Sequence, residues 1–410
     1  MRARQIPLIV LAGLGVLSSA HADTVITNAN GYTLNAKGEL VQFSALAFDD
    51  KGRITAVGSN AEVTAKARGA RQVDMQGRTV LPGLIDAHVH LGVHEEGEGW
   101  AGADVNETTD PVTAAARAID AINPAEIGFS DARSAGITTV NVNPGSANPI
   151  GGLAVAIKTQ GRIVDEMVLR SPSGLKAALG ENPKRVYGER KQTPNTRLGV
   201  AMTIRKAFTE ARQWQAKDVA DRPADLTSEA LSLVLNREIP WRQHCHRVDD
   251  IATAIRLADE FGYELVLDHG TESYKVADVI AARGIPVLYG PMIVSRSKVE
   301  VRERSPKAPG ILARAGVKVS IITDHPVVPI EFLIHQAALA VREGMDAPEA
   351  LRAVTINPAE VLGVSDRVGS LEPGKDADFA LWSGDPLDTR NRVLRTWIDG
   401  ELVFSHEHTA

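Results

Sequence analysis

Between about residue 81 and residue 365 the chain alternates short apolar runs with amphipathic segments of helical period, and this alternation restricts the fold more than any other feature. Runs that are apolar throughout, rather than at every second residue, belong to strands buried on both faces, and the helical segments between them supply the crossovers of a parallel sheet. The runs lie at 84–90, 137–142, 153–157, 174–179, 240–245, 264–268, 286–289 and 317–322. Eight strands with intervening helices predict an α/β protein whose sheet closes into a barrel. The third run is the least distinct, because 166–170 is equally apolar. One crossover helix is legible in detail. Val248, Ile251, Ile255 and Ala258 recur at spacings of three and four, and Asp249 and Asp250 in the first turn complement the helix dipole.

Both ends of the chain have a different texture, with short β runs punctuated by turns: Thr24 to Thr27, Leu40 to Phe48 and Arg53 to Val57 near the start, then Ala377 to Trp382, Val393 to Ile398 and Glu401 to Phe404. The two ends are expected to join in one β sandwich, built from 23–80 and 366–410, flanking the barrel of 81–365. The first 22 residues read as a signal peptide. Arg2 and Arg4 precede the apolar run Ile6 to Leu17, which is too short to span a bilayer, and Ala20-His21-Ala22 is a small-x-small cleavage site. A mature chain starting at Asp23 would be periplasmic or secreted, with no stable membrane anchor. The 45 Lys and Arg against 51 Asp and Glu include no basic block suited to nucleic acid. A single cysteine, Cys245, excludes an internal disulfide framework and CxxC-type zinc sites, so metal ligands have to be His, Asp, Glu or modified Lys.

Leu81-Pro82-Gly83-Leu84-Ile85-Asp86-Ala87-His88-Val89-His90 places two histidines at i and i+2, on one face of a strand end, where both imidazoles can reach one ion. His244 and His246 end the fifth run, His269 follows the sixth, and Asp324 follows the eighth. In a parallel barrel those ends converge on one mouth. Cys245, between two histidines of one face, is expected to point away from it.

These residues, with Thr355-Ile356-Asn357-Pro358-Ala359 and Gly369-Ser370-Leu371-Glu372-Pro373-Gly374-Lys375-Asp376-Ala377-Asp378, resemble the metal-dependent amidohydrolase superfamily over about 24–404, and within it the imidazolonepropionase-like amidohydrolases. The resemblance implies a distorted (β/α)8 TIM barrel with a composite β sandwich. It also implies one or two divalent cations, most simply zinc, in the mouth, and hydrolysis of a carbon-nitrogen bond in a small-molecule substrate. His88, His90, His269 and Asp324 match the ligand positions, Asp324 doubling as proton shuttle. On the fifth strand His244 is taken as the ligand, with His246 as a catalytic or substrate contact. Gly174-Leu175-Lys176 resembles the segment whose lysine is carboxylated and bridges two metals, and Glu181 is the alternative carboxylate ligand. Substrate contacts are not specified by the sequence. His94 and Trp100, in a long loop after the first strand, and Arg296, Lys298, Arg302 and Arg304, after the seventh, are the residues in reach. The leading expectation is an exported enzyme cleaving dipeptides, N-acyl amino acids or cyclic amides. A single-metal imidazolonepropionase-like enzyme, a deaminase and a non-catalytic scaffold are the alternatives. Barrels of this kind commonly form homo-oligomers.

Overall fold

The computed structural model describes residues 24–34 and 39–406, so the signal segment of 1–22 lies outside the described residues. Eight strands form the barrel sheet in sequential order: β1 (Leu84–Val89), β2 (Ile137–Val142), β3 (Ile150–Lys158), β4 (Val168–Ala178), β5 (Trp241–Cys245), β6 (Leu265–His269), β7 (Val287–Tyr289) and β8 (Val319–Ile321). The ring closes between β1 and the residues after β8, where Asp324 N donates to His88 O at 3.2 Å and His90 N to His325 O at 2.9 Å. The helix after β5 runs from Val248 to Phe261 and ends on Gly262 at φ +71°, in the left-handed conformation glycine adopts without strain.

One strand departs from the expected pattern. β3 runs antiparallel to both neighbours, pairing Lys158 with Thr139 of β2 and Ile157 with Val168 of β4. The connections explain it. A parallel crossover takes a dozen or more residues, usually a helix, whereas 143–149 joins β2 to β3 without any and 159–167 joins β3 to β4 with only the single turn Val164–Met167. The apolar residues Val168 and Leu169 belong to the long β4 rather than competing with β3.

The helices pack on the outside of the ring through a shared core that includes Val89, Val142, Leu175, Trp241, Leu267 and Ile321. The end opposite the mouth is plugged by Ile85, Ala87, Val266, Leu288 and Ile322 against the helix Ile356–Leu362. Asn357 of that helix donates to Val319 O at 2.8 Å, which gives the Thr355-to-Ala359 motif a role in closing the barrel floor.

The chain ends form two further sheets. One has four strands in the order Ile54–Gly58, Ala45–Phe48, Thr24–Thr27 and Arg71–Asp74. The other has six, in the order Glu401–Ser405, Val393–Ile398, Phe379–Trp382, Thr79–Pro82, Asn30–Leu34 and Leu40–Phe43. Phe379–Trp382 pairs directly with Thr79–Pro82, so the N- and C-terminal segments share a sheet. Between the two sheets lie Ile26, Phe43, Leu46, Phe48, Leu371, Phe379 and Trp397. The sequence run Leu40 to Phe48 is not one strand. It breaks at Ser44 and contributes one half to each sheet.

Candidate metal centre

His88, His90 and Asp324 meet at the barrel mouth with one donor atom each inside a 4.8 Å circle. Asp324 Oδ1 is 3.3 Å from His88 Nε2 and 3.3 Å from His90 Nε2. Both Asp324 and His269 hold a positive φ, +55° and +71°. That conformation is costly for a residue with a side chain and persists only where the surroundings enforce it. It lets His269, one residue past the inward-facing Asp268, join the same cluster.

The imidazoles form a contiguous set. His88 and His269 have ring centres 4.9 Å apart, His244 and His269 4.5 Å, His246 and His269 5.1 Å, and His244 and His246 4.7 Å. Nδ1 is hydrogen-bonded in three of them and lies against a carboxylate in a fourth. His90 Nδ1 lies 2.8 Å from Asn143 O, His269 Nδ1 2.8 Å from Gly290 O, His246 Nδ1 2.8 Å from Thr271 Oγ1, and His88 Nδ1 3.0 Å from Asp268 Oδ2. A carbonyl or carboxylate at Nδ1 fixes the proton there and leaves Nε2 as a lone-pair donor, the arrangement a metal-binding imidazole requires. His246 Nε2 and His244 Nδ1 are buried without a partner.

Electrostatics keep His244, His246, His269 and Asp324 in their ligand forms. Burial, with His269 next, holds His244 and His246 well below the usual histidine range, and burial brings His269 down to about 3. Burial alone would raise Asp324, but His269 and the contacts with His88 and His90 outweigh it and hold the carboxylate well below its usual range. Neutral imidazoles and an ionised carboxylate suit a divalent cation, so the donor set fits the metal that the sequence implies.

Lys176 is fully buried, with Nζ 3.0 Å from His88 Nε2 and 3.1 Å from Asp268 Oδ2. Burial, reinforced by Arg242, lowers its basicity despite Asp268 and Asp324. Glu181 is not brought to the cluster: its Oε2 accepts from Glu300 N at 3.3 Å. Trp100 is 93% exposed, while His94 stands one turn beyond His90, its N donating to His90 O at 2.9 Å. His335 packs at 5.3 Å against the Phe332 ring, away from the mouth, and Cys245 is buried in the core beneath the helices, its thiol pushed up by burial.

Sequence reasoning missed the residues that orient the cluster. Asp268 bridges His88, Lys176 and Arg242, the last at 3.3 Å from its Oδ1, and Arg242 also donates to Ala87 O at 2.7 Å. Arg242, Lys176 and His88 hold the Asp268 carboxylate well below its usual range against the opposing effect of burial. Asp86 accepts from Thr323 Oγ1 at 2.6 Å, Thr323 N at 3.1 Å and His88 N at 3.2 Å, tying β1 to the segment that carries Asp324. The available signal was a charge inside an apolar run: Asp86, Arg242 and Asp268 each interrupt one, and a buried charge needs a partner.

Comparison with known proteins agrees with this geometry. Residues 79–403 match the amidohydrolase family. The chain is 30% identical to amidohydrolase tasK of Hapsidospora irregularis over 87% of its own length, although it spans only 39% of that protein. It is 26% identical to an imidazolonepropionase of Mesorhizobium japonicum over 90% of this chain and 92% of the relative. The crystal structure of an amidohydrolase from Thermotoga maritima superposes with a TM-score of 0.87 at 42% identity, covering 93% of this chain and all of that one. A barrel flanked by a composite sandwich, a mouth of histidines around an aspartate, and these relatives agree in one assignment: the chain belongs to the amidohydrolase family of metal-dependent hydrolases acting on carbon-nitrogen bonds.

Proposed function

We propose that the protein is an exported hydrolase that cleaves the amide bond of a dipeptide or N-acyl amino acid. The observation that carries this reading is the convergence of His88, His90 and Asp324 donor atoms within 4.8 Å. His88, His90 and Asp324 would hold a first cation, most simply zinc, and His244 and His269 a second. A divalent cation there supplies Lewis acidity and makes hydroxide available from water near pH 7. Asp324, kept ionised by its histidine neighbours, takes the proton of the attacking water and returns it to the leaving nitrogen. His246, whose Nδ1 lies 2.8 Å from Thr271 Oγ1, directs its unpartnered Nε2 to the substrate carbonyl oxygen and donates to it in the tautomer that carries the proton there.

Lys176 supports the two-cation form. Burial lowers the basicity of this amine, and its neutral form is the species that adds carbon dioxide: a nitrogen-carbon bond forms, a proton leaves, and the carbamate offers two oxygens in place of a cation. The arginines and apolar run at the N-terminus support export to the periplasm or medium.

The test is metal stoichiometry by elemental mass spectrometry on mature protein expressed with zinc and bicarbonate. Two equivalents falling to one or none in Lys176→Ala are expected, and unchanged stoichiometry and activity in that variant would remove the bridging role. Asp324→Asn should lower kcat by about 100-fold or more while metal remains bound. Near-normal turnover would refute the shuttle.

A further inference from the structure

The loop after β7 has a fixed course. It leaves the barrel at Gly290, whose carbonyl holds His269 Nδ1. It is tied down again at Glu300, whose Oε1 accepts from Glu181 N at 2.7 Å and whose own N donates to Glu181 Oε2 at 3.3 Å, with Arg197 pairing the same carboxylate. Glu181 opens the helix that follows β4. In the barrel sheet β5 and β6 stand between β4 and β7. A segment that starts at the end of β7 and is pinned at the end of β4 therefore crosses above the ends of β5 and β6, where His244, His246 and His269 stand. The anchor is tight: a Cβ on Gly180, itself at φ +91°, would come within 2.7 Å of Glu300 Oε1.

The sequence places four cations on this loop, and the structure separates them. Arg296 Nε donates to Arg302 O at 2.9 Å and Arg304 Nε to Val294 O at 2.8 Å, so both staple the loop to itself. Arg302 is exposed. Lys298, two residues before the anchor, is half-buried and has no ion-pair or hydrogen-bond partner for its ammonium among the described residues. It stands on the stretch of the loop that crosses above the ends of β5 and β6. A half-buried lysine without a counter-ion, held over a reaction centre, is an anion subsite in waiting.

We propose that Lys298 binds the free carboxylate of the substrate, so that the enzyme selects amides terminating in an amino-acid carboxylate. The inference rests on the hydrolytic reading above and names the residue and the end of the substrate that it reads.

The experiment pairs acids with their carboxamides, using a panel of dipeptides and N-acetyl amino acids, on the metal-loaded wild type and on Lys298→Ala, Lys298→Arg and Lys298→Glu. The wild type should favour acids over amides. Lys298→Ala should raise KM for acids by about 10- to 100-fold with little change in kcat and leave the amides within about twofold, while Lys298→Arg restores part of the preference and Lys298→Glu removes it. An unchanged acid-to-amide ratio in Lys298→Ala overturns the proposal. If the wild type hydrolyses none of the panel, calorimetric binding of the same pairs separates the two readings. A Lys298-dependent preference for acids keeps the subsite and rejects only the hydrolytic substrate class. No such preference, whether from equal binding or from none, rejects the subsite.

Discussion

Asp268 lies between Arg242, Lys176 and His88 in a layer of the barrel with no exposure to solvent, so its charge faces theirs directly. Its contact with His88 Nδ1 also sets which nitrogen of that ring faces the mouth. Replacing the carboxylate with an isosteric amide removes the charge and weakens the orientation without changing the shape. Asp268→Asn should therefore lower zinc affinity by about 10- to 100-fold, read by competition with a chelator, and unchanged affinity would show that His88 is held by its backbone alone. The candidate ligands were legible because His and Asp at strand ends are recognisable from spacing. Their partners were not, because two of the four contacts are main-chain carbonyls, of Asn143 and Gly290, which carry no side-chain signature.

At the scale of elements, the loop anchor has its own pH signature. Burial first, then the nearby Asp250, raises the Glu300 carboxyl to about 7 against the pull of Arg197. The folded protein thus holds that proton more tightly than the unfolded chain, whose glutamates titrate near about 4.3. The stabilising contribution is complete below that value and is lost as pH rises through about 7. Glu300→Gln should accordingly show a flatter dependence of its denaturation midpoint on pH between about 4.3 and 7 than the wild type. Equal slopes in urea titrations across that window would assign the dependence to other groups. All eight barrel strands were visible as apolar runs, whereas the reversal of β3 was not. Apolar content reports burial on both faces and is blind to strand direction. Direction was encoded in connection length, which the uniform alternation obscured. The division of Leu40 to Phe48 at Ser44 escaped for a related reason, since period and composition continue smoothly while the chain changes sheet.

For the molecule as a whole, barrel and sandwich are joined by a charge cluster that is buried at Lys158, Asp376 and Asp378 and open to solvent at Asp399. Lys158 at the end of β3 sits 2.7 Å from Asp376 Oδ2, 3.1 Å from Asp378 Oδ1 and 2.6 Å from Asp399 Oδ1, and Arg367 adds a 2.7 Å contact to Asp376. The three carboxylates outweigh the effect of burial and raise the Lys158 ammonium. The Lys375-Asp376-Ala377-Asp378 motif, which from sequence marked only a family likeness, is thus the socket for a lysine more than two hundred residues earlier. Lys158→Met should remove the cation that faces Asp378 and Asp399 and destabilise the protein by about 3–5 kcal/mol in chemical denaturation. A midpoint close to wild type would show that Arg53 and Arg367 neutralise the cluster unaided. The reversed third strand has a practical consequence as well. Because β3 descends from the mouth, the turn that follows it, around Gln160 to Ile163, emerges on the opposite side of the barrel with Arg162 and Ile163 exposed. An enzyme tethered to a solid support through that turn would present its catalytic face to the bulk solution, with the whole depth of the barrel as spacer.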